Sequence, residues 1–168
     1  APPGQPLSSW LSAEENQRLA AAAQRLGLQP QALEPMRPWL AGLMLAMYPM
    51  IQAGYDPNAG VDTAIDRFGD SNGKTMRSFE TVDQQIGFFA NLSPELQRQM
   101  LLEAIAEAGK GAEMLDQMSA AWEAGDLNAL DRLLSEDLRE EYPEVYDVMI
   151  RRRNTAWVGV LMSELEGS

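Results

Sequence analysis

The chain has no cysteine and no histidine among its 168 residues. Without cysteine there is no disulfide framework and no thiolate ligand, and the redox compartment cannot be read from the chain. Without histidine the commonest general base is missing, as are the Ser-His and Cys-His nucleophile arrangements and nearly all zinc chemistry. Positive charge is scarce, with 13 Lys and Arg against 25 Asp and Glu and a formal net charge of −12. Phosphate backbones and anionic lipid surfaces are repelled by such a chain, so no nucleic-acid partner is expected. A long apolar run is missing too. The longest, Trp39 to Ile51, falls short of the roughly 20 residues of a spanning helix and contains Pro49, which is expected to interrupt it, so a buried core helix and no membrane span are expected. The chain opens APPGQPLSS, without a charged region followed by an apolar one, which reads as no signal peptide and as the start of a mature or excised segment.

The composition is that of a folded protein: 45% hydrophobic and 23% charged. A domain of this length buries roughly 70% of its unfolded surface. Local signals are mostly helical. Ser12 with Glu15 and Thr81 with Gln84 have capping-box spacing, Ser93-Pro94 reads as an N-cap followed by a first-turn proline, and Pro38 suits the first position of another helix. Gly27 and Gly125 read as C-terminal stops and Asp126 as a new N-cap. Pro30 opens a short turn, residues 53–60 are loop, Asp62 begins a short helix through Phe68, and residues 69–74 form a turn. One long helix is expected from Ser93 through Trp122, weakened at Gly109 and Gly111, and a last one from Pro143 toward Leu165. Thr75 to Phe79 alternates as a short strand does. The predicted fold is mainly α, an irregular multi-helix bundle with at most one short strand, and residues 1–168 are expected to form one helical domain. In the helix after Pro38, the residues Leu40, Leu43, Met44, Met47 and Ile51 share one side and are expected to face the core.

Three sets of residues bear on chemistry. Asp62 and Asp66, four apart, could share a helix face as a carboxylate pair or part of an oxygen-ligand cation site, but such pairs are more often solvated surface. The ten methionines fit core filling better than a groove for a partner helix. In Arg151-Arg152-Arg153 the ordinary reading is a solvated face with ion pairs. Arg153, however, interrupts an apolar stripe of Tyr146, Ile150, Trp157, Val160 and Leu161. A guanidinium there either pairs with an acidic group, Asp62 or Glu80 being the first candidates, meets a bound anion, or snorkels to water. With a partner free to reach water, Arg153→Met is expected to be tolerated.

Five blocks, in order, carry a resemblance: MRPWLAGLML (36–45), GYDPNAGVDTAI (54–65), FETVDQQIGFF (79–89), AWEAGDLNAL (121–130) and RNTAW (153–157). In this order and spacing they resemble the middle of a TraB/GumN family protein, in the superfamily that includes the Tiki proteases. The resemblance implies that the chain is the helical insert of a larger α/β protein, a metal-dependent, protease-like hydrolase. Its site there is similar to two Gly-x-x-His motifs, one on each side of this region, with a supporting glutamate and an arginine in the helix before the second. Neither histidine motif is present here, and the glutamate would lie upstream of Ala1. Only the arginine carries over, onto Arg153 as a catalytic residue with Asn154 beside it. Asp62 and Glu80 match positions to which the resemblance gives structural or supporting roles. It further implies no cofactor in this chain, a divalent metal in the full-length parent, partnership with the missing sheet domain and with a peptide or protein substrate, and a bacterial envelope or periplasmic setting. The alternative from the residues alone is a non-catalytic helical interaction module.

Overall fold

The computed structural model describes residues 5–166. The protein is mainly α, and among the described residues there is no strand. Its helices are α1 (Ala13–Arg25), α2 (Pro38–Gln52), α3 (Val61–Ser71), α4 (Val82–Ala90), α5 (Pro94–Ala106), α6 (Gly111–Ala124), α7 (Leu127–Asp131), α8 (Asp137–Glu141), α9 (Pro143–Tyr146) and α10 (Arg152–Glu166). Wider π turns, Arg132–Glu136 and Asp147–Arg151, lie between α7 and α8 and between α9 and α10.

Local chemistry fixes several of the helix ends. The Ser12 hydroxyl accepts from the Glu15 amide while the Glu15 carboxylate accepts from the Ser12 amide. Thr81 and Gln84 repeat the exchange ahead of α4. Ser93 caps α5 by accepting from the Leu96 amide, and Asp126 caps α7 by accepting from the Ala129 amide. Each satisfies an amide that has no partner inside its helix. Gly125 closes α6 in the left-handed region, where glycine carries no Cβ penalty.

Contacts divide the chain into two compact units. The first comprises Ala1–Tyr55 and Phe89–Leu133 and holds a continuous core of Leu7, Leu19, Ala22, Ala23, Leu26, Leu33, Ala41, Leu45, Leu101 and Ile105. Helices α2 and α5 pack along each other through it. They approach closely at Gly42, where an added Cβ would stand 3.4 Å from both the Leu101 Cα and the Met100 carbonyl oxygen. The second unit comprises Asp56–Phe88 and Leu134–Ser168. Its one fully buried hydrophobic side chain among the described residues is Val145.

Several expectations need correction. The buried side of α2 is Pro38, Ala41, Gly42, Leu45 and Pro49, while Leu43, Met47 and Ile51 are exposed. Almost every residue of α2 is apolar, so periodicity could not distinguish its faces; the small residues Ala41 and Gly42 decide which side admits α5. Pro49 does not end the apolar run but is buried inside a helix that continues to Gln52. The stretch expected to form one helix from Pro94 to Trp122 is two, because Gly109 adopts φ +100° and breaks the chain direction before α6. Helix α3 runs on to Ser71, through part of the expected turn. Thr75 to Phe79 is irregular, since no second strand among the described residues pairs with it. Of the methionines, Met36 packs on the core, whereas Met47 and Met114 are exposed.

Candidate functional site

The second unit is organised around one carboxylate. Glu80 lies two residues before α4, where the Thr81–Gln84 capping exchange fixes the chain, and its side chain is only 8% exposed. It accepts from Arg153 Nε at Oε1 and from Arg153 Nη2 at Oε2, both at 2.8 Å. Trp157 Nε1 donates to the same Oε1 at 3.0 Å, and Gln85 adds a further side-chain hydrogen bond. Two parallel N–H···O bonds match the guanidinium fork to the carboxylate, the strongest form of this pairing.

Arg153 and Trp157 are four residues apart on α10 and therefore on one face. The Arg153 guanidinium lies 5.1 Å from the Phe88 ring centroid and 5.2 Å from that of Trp157, positions from which the ring quadrupoles attract a cation. Phe79 stacks on Trp157 with centroids 5.5 Å apart. Arg153 Nη1 donates to the Met149 carbonyl oxygen at 3.1 Å. With Nε, Nη1 and Nη2 each engaged, two of its five N–H donors remain.

The hydrogen bonds from Arg153 hold the Glu80 carboxyl below the usual carboxylate range, with burial opposing the shift and the Arg153 charge and the Trp157 and Gln85 hydrogen bonds adding to it. The same pair raises the Arg153 pKa, chiefly through the hydrogen bond to Glu80 and against the effect of burial. Both groups are therefore charged at neutral pH.

Of the residues singled out from the sequence, Arg153 and Glu80 are brought together. Asn154 is exposed at the next position of α10. Asp62 is exposed in the first turn of α3, and no hydrogen bond or ion pair joins it to Arg153 or Glu80. Asp66 is also exposed. Arg151 and Arg152 both pair with Asp147. Among the described residues no group of three or more His, Cys, Asp or Glu is arranged to hold a metal ion. Sequence reasoning missed Trp157 as a second donor to Glu80 and Phe88 as a wall of the site. Both lie in recognisable blocks, and the spacing of four from Arg153 to Trp157 was the available signal.

Fold and cluster together define a mainly α protein with a half-buried arginine–glutamate pair in an aromatic setting. The TraB/PrgY/gumN family model matches residues 1–168, the whole chain, and the protein belongs to that family. No curated protein and no solved structure matches it. No helix among the described residues is long and apolar enough to cross a membrane.

Proposed function

We propose that this chain is the helical, substrate-facing portion of a TraB/GumN-type metal-dependent hydrolase acting on peptides or proteins, to which it contributes Arg153. The observation that carries the reading is that two of the blocks that carry the family resemblance, residues 79–89 and 153–157, meet at Glu80, Arg153 and Trp157. Glu80 orients the guanidinium by engaging Nε and one edge of Nη2, leaving two N–H donors for a charge that develops on a substrate. Asn154 and Asp62 have supporting roles in this reading. The metal belongs to the parent protein's sheet domain, which also adjoins the chain, and the setting is the bacterial envelope or periplasm. Alone the chain is inactive.

The test uses the full-length protein supplied with zinc, cobalt or manganese and a fluorogenic peptide library. Metal-dependent cleavage that falls 100-fold or more in Arg153→Lys, with the fold retained, is the expected outcome, since removing one charge-stabilising donor costs on the order of 100-fold to 1,000-fold in rate. Undiminished turnover in that variant would remove Arg153 from the chemistry.

A second reading, a non-catalytic interaction module, is favoured by the apolar residues Val61, Ile65 and Phe68 of α3 and Leu161, Met162 and Leu165 of α10, all exposed. Contiguous apolar faces of this kind mark interaction surfaces. Absence of hydrolysis with every metal, together with stoichiometric capture of a partner that is lost in Phe68→Ser, would select it.

A further inference from the structure

The helical run from Pro143 to Glu166 has its buried positions at phases that a regular α-helix would place on different faces. Val145 anchors the upstream end and is 2% exposed. In α10 the described residues that are not exposed are Arg153 and Trp157, the two that hold Glu80. At about 100° per residue, an uninterrupted α-helix would place Arg153 about 80° and Trp157 about 120° round from Val145. Neither would lie on its face. A π turn closes i to i+5 bonds and so absorbs about one extra residue. Removing that residue's rotation brings Arg153 to about 20° on one side of Val145 and Trp157 to about 20° on the other. The π turn at Asp147–Arg151 stands between them, where such a correction is needed.

Two further contacts belong to this wider turn. Asp147 accepts from Arg152, five residues on, as well as from Arg151. In a regular α-helix residues five apart are about 140° apart around the axis, whereas i to i+5 geometry brings them together. At the other end, Arg153 Nη1 donates to the carbonyl oxygen of Met149, inside the turn.

We infer that the π turn at Asp147–Arg151 sets the register of α10, and that it and the Glu80 cluster hold each other in place. Conversion of the turn to α-helix rotates Arg153 and Trp157 away from Glu80 together and releases the guanidinium. Re-formation of the pair draws the surplus residue back into the turn. Glu80 is thus a positioning residue acting through α10. This coupling is a property of the chain's own geometry and is independent of any hydrolase activity.

The test is solution NMR on the chain with two variants, reading the hydrogen-bond pattern of residues 147–152 and the solvent exchange of the Trp157 indole N–H. Removing Ile150 takes out the surplus residue. The turn then becomes α-helical while the Trp157 indole stays as protected as in the parent chain. Glu80→Ala removes the anchor instead. The i to i+5 bonds then give way to i to i+4 bonds, and the Trp157 indole exchanges about tenfold faster or more, the scale of a lost hydrogen bond to a charged group. Release of the Trp157 indole in the Ile150 deletion, or persistence of the i to i+5 bonds in Glu80→Ala, would overturn the inference. The indole signals of Trp10 and Trp39, in the first unit, report whether each variant is folded. Should one variant fail to fold, the other decides alone.

Discussion

Arg153 and Glu80, 73 positions apart in the chain, meet as a two-bond pair in which the glutamate is the more buried partner, its side chain 8% exposed against 20% for the arginine. That asymmetry governs what each substitution does. Water can reach the cation if its partner is removed, but it reaches the carboxylate poorly.

Arg153→Met should therefore destabilise the chain by about 2 to 3 kcal/mol, because Glu80 is left with the Trp157 and Gln85 hydrogen bonds but no cation. The sequence-based expectation that this change is tolerated assumed a carboxylate free to reach water, and the burial of Glu80 removes that assumption. The double change Arg153→Met with Glu80→Leu should recover most of the loss, since an apolar pair replaces a pair rather than half of one. Denaturant melts of the two variants and the parent chain give the comparison. A single variant as stable as the parent would mean that the pair contributes nothing net.

The pair also sets an acid limit. Glu80 has a folded-state pKa below its unfolded value, so its contribution is fully present above the unfolded pKa, about 4.3, and is lost as pH falls through the folded pKa. Trp157 should lose its contact with Glu80 only as pH falls below the ordinary carboxylate range, and not between pH 5 and 8. Trp157 fluorescence, isolated by difference from Trp157→Phe, is the measurement. In Glu80→Gln the acid transition of this signal should disappear.

The sequence revealed most where a few neighbouring residues decide the outcome. The capping exchanges at Ser12–Glu15 and Thr81–Gln84 need no tertiary partner, so they were readable and form as expected. Arg153 was legible as a misfit in an apolar stripe, and Glu80 was one of two acids named for it. Asp62, the other, offers the same charge but sits in the first turn of α3, and only the fold separates them. The π turn was not legible, because its cause lies at its two ends: Val145 and Glu80 impose phases that an α-helix of this length cannot satisfy together. The buried face of α2 was hidden for a related reason, since an all-apolar helix carries no polar face to mark the side turned to solvent.

That face gives a direct comparison between two leucines of one helix. Leu45 is fully buried in the core and Leu43 is 36% exposed. Leu45→Ala should cost about 2 to 5 kcal/mol through lost burial and the cavity left behind, and Leu43→Ala under about 1 kcal/mol. Equal losses in urea melts would show that the exposed side of α2 is packed in solution.

Gly111 is the first residue of α6. A Cβ added there would lie 2.9 Å from the Ala46 carbonyl oxygen on α2, closer than real Cβ contacts allow, and 3.5 Å from the Met50 side chain. Met50 is flexible and can yield. The Ala46 oxygen is backbone in the middle of α2, so relief requires α6 to move away from α2, the two helices that pack in this part of the first unit. Gly111→Ala gains helix propensity of somewhat under 1 kcal/mol at most, and less at a first-turn position. Overpacking at a backbone contact costs about 1 to 3 kcal/mol, so the steric effect should win and the variant should be less stable than the parent. Gly159→Ala is the control, because a Cβ there meets nothing within 4 Å and α10 should tolerate or welcome it. Thermal melts of the two variants should move in opposite directions. A stabilised Gly111→Ala would mean that α6 has room to shift, and that its contact with α2 is looser than the spacing at Ala46 implies.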